Sequence, residues 1–276
     1  MNAFQISEQE FAQFQRFIFN IAGITMSAAK KALVSGRLAK RLQHYQLPSY
    51  AAYFKLLSDG QSPDEVQLAV DLLTTNETYF FREARHFELL REAALDARAA
   101  WRNTPFRVWS AACSSGEEPY SIAMVLADCL GTNHPWEVVA SDISTRVLQR
   151  ARTGHYPMER TQHIPQDYLR RFCLKGMGEQ QGTLLVERSL RSRVQFRQVN
   201  LNTALPDLGQ FDVIFLRNVM IYFNGDTKRQ VVARVVGQLR PDGHFFIGHS
   251  ESLHEVTDAV RAVVPSVYRK VGPRKA

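Results

Sequence analysis

The sequence predicts an α/β chain in which an all-helical N-terminal segment precedes a doubly wound parallel sheet carrying a small antiparallel β insertion. Three observations support this. Apolar residues recur at helical spacing over the first ~75 residues. From about Thr104 onward, short apolar runs alternate with helical stretches, as a parallel sheet requires. Between about residues 154 and 195 that alternation gives way to glycine-spaced hairpin material.

At the N-terminus, Phe11, Phe14, Phe17, Ile18 and Ile21 mark one apolar helix face, and Val66, Leu68, Ala69, Leu72 and Leu73 mark another. Between them, Lys30 to His44 can turn Leu33, Leu38 and Leu42 toward a core and Lys30, Arg37, Lys40, Arg41 and His44 outward. No glutamates interleave these cations as an intrahelical ladder would need. The face therefore reads either as solvated surface or as a recognition surface for something acidic. Phe106 to Ser110 is a short strand, followed by a small-residue turn and a helix opening at Pro119. Trp136 to Ala140 is the next strand, and a helix begins near Thr145. In the insertion, Gly176, Gly178 and Gly182 precede Thr183 to Glu187 and Val194 to Arg197, read together as hairpin strands. Phe211 to Leu216 is a buried strand, Asp226 to Leu239 a helix, and Arg240-Pro-Asp-Gly243 the turn into Phe245 to Gly248. Gly272 to Ala276 reads as a frayed tail.

Composition narrows the setting. The 276 residues are 45% hydrophobic, enough for one large domain or an ordinary domain plus a small one. No stretch approaches the ~20 apolar residues of a membrane span, and the first residues lack the pattern of a signal peptide. Cys113, Cys129 and Cys173 are scattered and odd in number, which points to a reducing cytoplasm without disulfides or a zinc site. His244, His249 and His254 recur every five residues and share no helical face, so no metal is expected. The net charge of +7 calls for an acidic partner, either nucleic acid or an acidic protein surface.

The most informative segment is Ser110-Ala-Ala-Cys-Ser-Ser-Gly-Glu-Glu-Pro-Tyr-Ser121. Strand, turn and helix open a nucleotide-type site, yet Glu117 and Glu118 stand where a phosphate loop would keep negative charge away. Carboxylates there repel a pyrophosphate but suit ribose hydroxyls or a sulfonium. A nucleoside without phosphates is the implied ligand, and S-adenosylmethionine fits. Asp142, after the second strand, is placed to hold a ribose, the alternative being that it or Ser144 caps the following helix. Arg217, Asn218 and Tyr222 follow a later strand, whose carboxyl end opens into the ligand crevice, although a turn residue and a packing aromatic would look the same.

Five motifs carry a resemblance: Thr74-Thr-Asn-Glu-Thr-Tyr-Phe-Phe-Arg-Glu83, the Ser110–Ser121 segment, Ala140-Ser-Asp-Ile143, Arg217-Asn-Val-Met-Ile-Tyr-Phe223 and Gly248-His-Ser-Glu251. In order over nearly the whole chain, they resemble the CheR family, S-adenosylmethionine-dependent glutamate methyltransferases of bacterial chemotaxis receptors. The resemblance implies a Rossmann-like class I methyltransferase domain over 76–276, with a β-subdomain at about 154–195, behind a receptor-recognising helical domain over 1–75. It implies that Asn76, Thr78 and Arg82 line the cleft. It further implies that Glu118, with Glu117 beside it, and Asp142 hold the cofactor, whose product is S-adenosylhomocysteine. Asn200 and Leu201 lie beside the adenine, Arg217 and Asn218 complete the cofactor site, and Arg82 and Tyr222 serve the transfer. Arg37, Lys40 and Arg41 would face acidic receptor helices, and the loop of Gly176, Gly178 and Gly182 would dock a C-terminal receptor pentapeptide. The expected protein is a monomer that modifies methyl-accepting receptors, with no nucleic acid, membrane insertion or metal. A nucleic-acid methyltransferase is disfavoured because Arg217-Asn-Val-Met-Ile-Tyr222 lacks the Asn/Asp-Pro-Pro-aromatic motif of amino-methylating enzymes. A silent adaptor that binds S-adenosylmethionine as a sensor stays open.

Overall fold

The computed structural model describes residues 5–100, 104–131 and 134–271; the tail expected at 272–276 lies outside them. Four helices come first: α1 (Glu8–Ala22), α2 (Lys31–His44), α3 (Tyr50–Ser58) and α4 (Pro63–Leu73). Ser7 and Glu10 form a reciprocal capping box that starts α1. Phe14 sits fully buried among Tyr50, Tyr53 and Phe54, giving these helices a core of their own. On α2 the buried positions are Val34, Leu38 and Leu42; Leu33 instead lines the cleft described below.

The outward basic face of α2 is corrected at two positions. Arg41 donates from Nε and Nη2 to the carboxylate of Glu65 on α4, at 2.8 and 2.7 Å. Glu65 is 5% exposed and also accepts from Tyr53 and Tyr45. Arg37 donates to the carbonyls of Leu72 and Thr74, at 2.9 and 2.8 Å, closing the C-terminal end of α4. Lys40 stays exposed. The partner acid belongs to another helix, so spacing along α2 could not reveal it.

The α/β part runs α5 (Arg85–Ala99), β1 (Phe106–Ser110), α6 (Glu117–Leu130), β2 (Trp136–Asp142) and α7 (Thr145–Thr153). The insertion follows, with β3 (His155–Pro157), α8 (Gln166–Phe172), β4 (Cys173–Lys175) and β5 (Thr183–Val186). After α9 (Arg188–Arg191) come β6 (Val194–Gln198), β7 (Phe211–Leu216), α10 (Gly225–Gly237), β8 (Leu239–Ile247), β9 (Val260–Val264) and β10 (Val267–Lys270). The seven-stranded sheet has the order β6-β2-β1-β7-β8-β10-β9, and only β10 runs antiparallel to its neighbours. Every residue of β7 is buried, as expected of a central parallel strand covered on both faces. One face packs on α5 and α6 through Phe87, Leu90 and Tyr120, the other on α10 through Val231, Val232 and Val235. The order reverses between β1 and β7, so the ligand crevice opens at their carboxyl ends.

The insertion is a separate three-stranded antiparallel sheet, β3-β5-β4. Val194 to Gln198 is not part of it. That segment pairs in parallel with β2, Val138 opposite Val194, as the edge of the main sheet. An alternating apolar pentapeptide suits a hairpin or an edge strand equally, and only its neighbour decides. The helix read as opening at Pro119 begins at Glu117, and the β9–β10 hairpin carried no sequence signal strong enough to be read. Among the described residues no helix is long and apolar enough to cross a membrane.

Candidate active site

The turn after β1 spends three of its own amides. Cys113 N donates to Ser141 O, Gly116 N to Cys113 O, and Ser114 N to Asp142 Oδ2 at 2.9 Å. A phosphate-binding loop keeps such groups free, so this turn offers a phosphate little. Gly116 has φ +99, and a Cβ there would lie 2.7 Å from the Tyr156 hydroxyl, so the turn closes only with glycine.

The acidic pair divides. Glu118 lines a cleft of about 330 Å³, accepting from Ser110 Oγ at 2.7 Å and from Arg217 Nη1 at 3.0 Å. Glu117 is absent from that lining, which corrects the expectation that it touches the ligand. It is fully buried, accepting from Arg160 Nε at 2.9 Å and Ser115 Oγ at 2.7 Å. Arg160 also reaches Thr78 O, so Glu117 fastens the insertion to the rim of the cleft. Successive residues at a helix start point about 100° apart, and here Glu118 alone of the pair lines the cleft.

Asp142 ends β2 inside the cleft. Its Oδ1 accepts from Ser144 N and its Oδ2 from Ser114 N, both at 2.9 Å, leaving acceptor capacity on each oxygen. Burial pushes its carboxyl up despite these amides. Ser144, not Asp142, caps α7, and Asp71 on α4 reinforces that helix start by accepting from Thr145 N and Arg146 N.

Asn76, Thr78, Arg82, Asn200, Leu201, Arg217, Asn218 and Tyr222 line the same cleft. Asn200 donates to Ile21 O at 2.7 Å, and Asn76 O accepts from Ser114 Oγ at 2.8 Å. Arg217 is buried between Glu118 and Glu83, 3.0 and 3.1 Å away, and also donates to Arg82 O. Burial opposes the charge on Glu83, but Arg217 and the His249 amide hold its carboxyl below the usual range. Burial likewise raises Glu118, which Arg217 only partly offsets. Arg82 donates to Glu77 O and lies over the Tyr79 ring; among the described residues no carboxylate pairs with it. The Tyr222 hydroxyl makes no hydrogen bond among the described residues.

Three contributions escaped the sequence reading. Glu83, inside a quoted motif but given no role, neutralises Arg217. Glu251 binds the loop after β7. The N-terminal helical part supplies a whole wall through Ile24, Thr25, Met26, Ser27, Lys30 and Leu33. Thr25 N donates to Tyr222 O at 2.8 Å, and Ile24 bridges Phe223 antiparallel. No motif announces such a wall. Glu83, His86 and His249 also place one ligand atom each within 4.8 Å of one another. Arg217 already supplies the positive charge that a metal ion would bring there.

A cleft at the carboxyl ends of a doubly wound sheet, lined by Glu118 and Asp142 and with the Cys113, Ser114 and Gly116 amides already committed, points to a nucleoside-binding enzyme of the S-adenosylmethionine-dependent methyltransferase class. Comparison with known proteins narrows this. The family description "CheR methyltransferase, SAM binding domain" matches residues 76–268, and "CheR methyltransferase, all-alpha domain" matches 9–74. Chemotaxis protein methyltransferase 2 of Pseudomonas aeruginosa is 45% identical, over 96% of this chain and 94% of its own length. The chemotaxis protein methyltransferase of Escherichia coli is 43% identical, over 90% of this chain and 85% of its own. A Borreliella burgdorferi relative is 33% identical over 96% and 95%. The chain belongs to the CheR methyltransferase family, and its cofactor is S-adenosylmethionine.

Proposed function

We propose that the protein is a protein-glutamate O-methyltransferase that esterifies glutamate side chains of chemoreceptor cytoplasmic domains. The observation that carries this reading is Arg82, a cleft guanidinium with no carboxylate partner among the described residues, whereas Arg217 in the same cleft is already paired with Glu118 and Glu83. A guanidinium fork matches an incoming carboxylate.

S-adenosylmethionine supplies a methyl group on a positively charged sulfur. The residues present suit it: Asp142 would accept ribose hydroxyls, Val199 and Leu201 offer apolar surface to a base, and Glu118 offsets positive charge. A glutamate is already ionised at neutral pH, so no general base is needed. Charge cancels in the displacement, so the work of the protein is alignment and exclusion of water. Arg82 orients the acceptor carboxylate, and Tyr222 positions the groups at the transfer point. Incubation of the protein with labelled donor and a chemoreceptor cytoplasmic fragment should give base-labile methyl esters on glutamate. Methyl groups found on lysine or arginine nitrogens, or on no receptor fragment at all, overturn the assignment.

The proposal includes a division of labour near residue 75, with residues 1–75 docking on receptor helices and 76–276 holding the donor. Docking would draw on exposed Lys40 and on a second source of positive charge. Residues 145–198 hold eleven Lys and Arg against four Asp and Glu, a surplus as large as the net charge of the chain. The insertion is proposed to add a receptor C-terminal pentapeptide as an extra strand. Support comes from the edge strand β4 and from exposed Leu174 and Met177. In the adjoining loop Gly178 and Gly182 have φ +57 and +82, and a Cβ on Gly176 would collide with the Gln180 carbonyl. Titrating receptor C-terminal pentapeptides into the protein tests this; no binding by any of them removes the tether.

A further inference from the structure

The loop after β7, Arg217 to Phe223, carries Asn218 and Tyr222 into the cleft but contains no proline to stiffen it. Its path is irregular: Asn218 sits at φ +57, in the left-handed region, and a 3-10 turn follows at Met220–Tyr222. Such a segment leaves main-chain donors without strand or helix partners. Here they converge on one side chain. Glu251 Oε2 accepts from Asn218 N at 2.9 Å and Gly248 N at 2.7 Å. Its Oε1 accepts from Met220 N at 2.8 Å and Ile221 N at 3.3 Å. Four donors fill the lone-pair directions of one carboxylate.

Glu251 is itself anchored, since its own N donates to Gly248 O at 2.9 Å in the turn that leaves β8. That strand runs beside β7, with Leu216 opposite Ile247, so the two turns emerge side by side. Gly248 is pressed against Asn218, whose main-chain N would lie 3.0 Å from an added Cβ. The far end of the loop is held separately, by Thr25 N on Tyr222 O. Glu251 does not line the cleft.

We infer that Glu251 is a positioning residue for methyl transfer, aligning Tyr222 through the main chain of its loop. This rests on the reading of the cleft as a methyl-transfer site. Glu251→Gln keeps the shape but turns an NH₂ toward two amide donors, whereas Glu251→Asp keeps both acceptors on a shorter stem. The expected result for Glu251→Gln is a fall in kcat of about 10- to 100-fold, with S-adenosylhomocysteine affinity changed by less than about 3-fold. Glu251→Asp should recover part of that loss. Unchanged kcat, equal losses in kcat and S-adenosylhomocysteine affinity, or an Asp variant no better than Gln each overturn the inference. Tyr222→Ala, assayed alongside, separates the two claims. If it keeps full kcat the functional reading of the loop fails; if it loses kcat while Glu251→Gln does not, only the role of Glu251 fails. Amide exchange in the unaltered protein gives a check that needs no variant. Asn218, Met220 and Ile221 should be protected, and exchange at unstructured-peptide rates overturns the inference.

Discussion

Asp142 and Arg82 occupy one cleft but are asked for opposite things, one to hold the donor and the other to align the acceptor. Asp142→Ala should weaken S-adenosylhomocysteine binding by about 1–3 kcal/mol, the cost of losing hydrogen bonds to a charged group. Calorimetry on the folded variant checks this, and unchanged affinity removes Asp142 from the site. Arg82→Ala should instead lower kcat by about 100-fold with little change in donor affinity, because an alignment contact acts in the transition state. Equal turnover under saturating donor and receptor fragment would sink that role. His86 offers a test of stability. It is 1% exposed, and burial together with Arg217 holds its pKa down at about 3. The folded value lies below the unfolded one, so the unfolded chain binds the proton. Stability is therefore full above pH ~6.5 and is lost as pH falls. Between pH 7 and pH 5 this group should cost about 2 kcal/mol. Urea unfolding of wild type and His86→Gln at both pH values reads the difference, and parallel losses clear His86.

At the scale of elements, charge pattern along α2 misled at Arg37 and Arg41, and periodicity there misled only at Leu33, which lines the cleft while Val34 is buried. The apolar face of α1 was legible because helix burial repeats in the sequence itself, and that of α4 in part, Ala69 and Leu73 being buried while Leu68 is only half-buried and Val70 takes a core place. The partner of Arg41 was not, because Glu65 lies on α4 and meets it only after folding. Charge reversal at Arg41 would thus test packing, not docking. Arg41→Ala should destabilise the protein by about 3–5 kcal/mol, since it strands a buried carboxylate. Lys40→Glu should leave stability alone while slowing methylation of a receptor fragment. Urea midpoints and initial rates separate the two, and an unaffected rate in Lys40→Glu returns that face to plain solvated surface. Position β6 teaches the same lesson for strands, its neighbour being β2 and not the hairpin beside it in sequence.

Over the whole molecule, the sheet and the residues at its strand ends were legible because strand–turn–helix order and acidic turn residues leave local marks. Asp142, Glu118, Arg217 and Asn218 belong to that group. Glu251 and the Ile24–Lys30 wall leave none, because each matters through main-chain contacts made across the fold. The wall has a thermodynamic consequence. The helical part that is proposed to grip the receptor also closes the donor cleft, with its Thr25 bonded to Tyr222 and its Ile21 carbonyl bonded to Asn200. Two ligands that share one wall are coupled through it wherever binding of one shifts that wall. Linkage then requires that S-adenosylhomocysteine change receptor-fragment affinity by the same factor by which the fragment changes S-adenosylhomocysteine affinity. Titrating each ligand with the other absent and then saturating measures both factors, and a factor of one in each direction means the wall transmits nothing. A factor above one makes the enzyme a coincidence detector: donor supply sets how long it dwells on a receptor, and receptor density sets how long it keeps its donor.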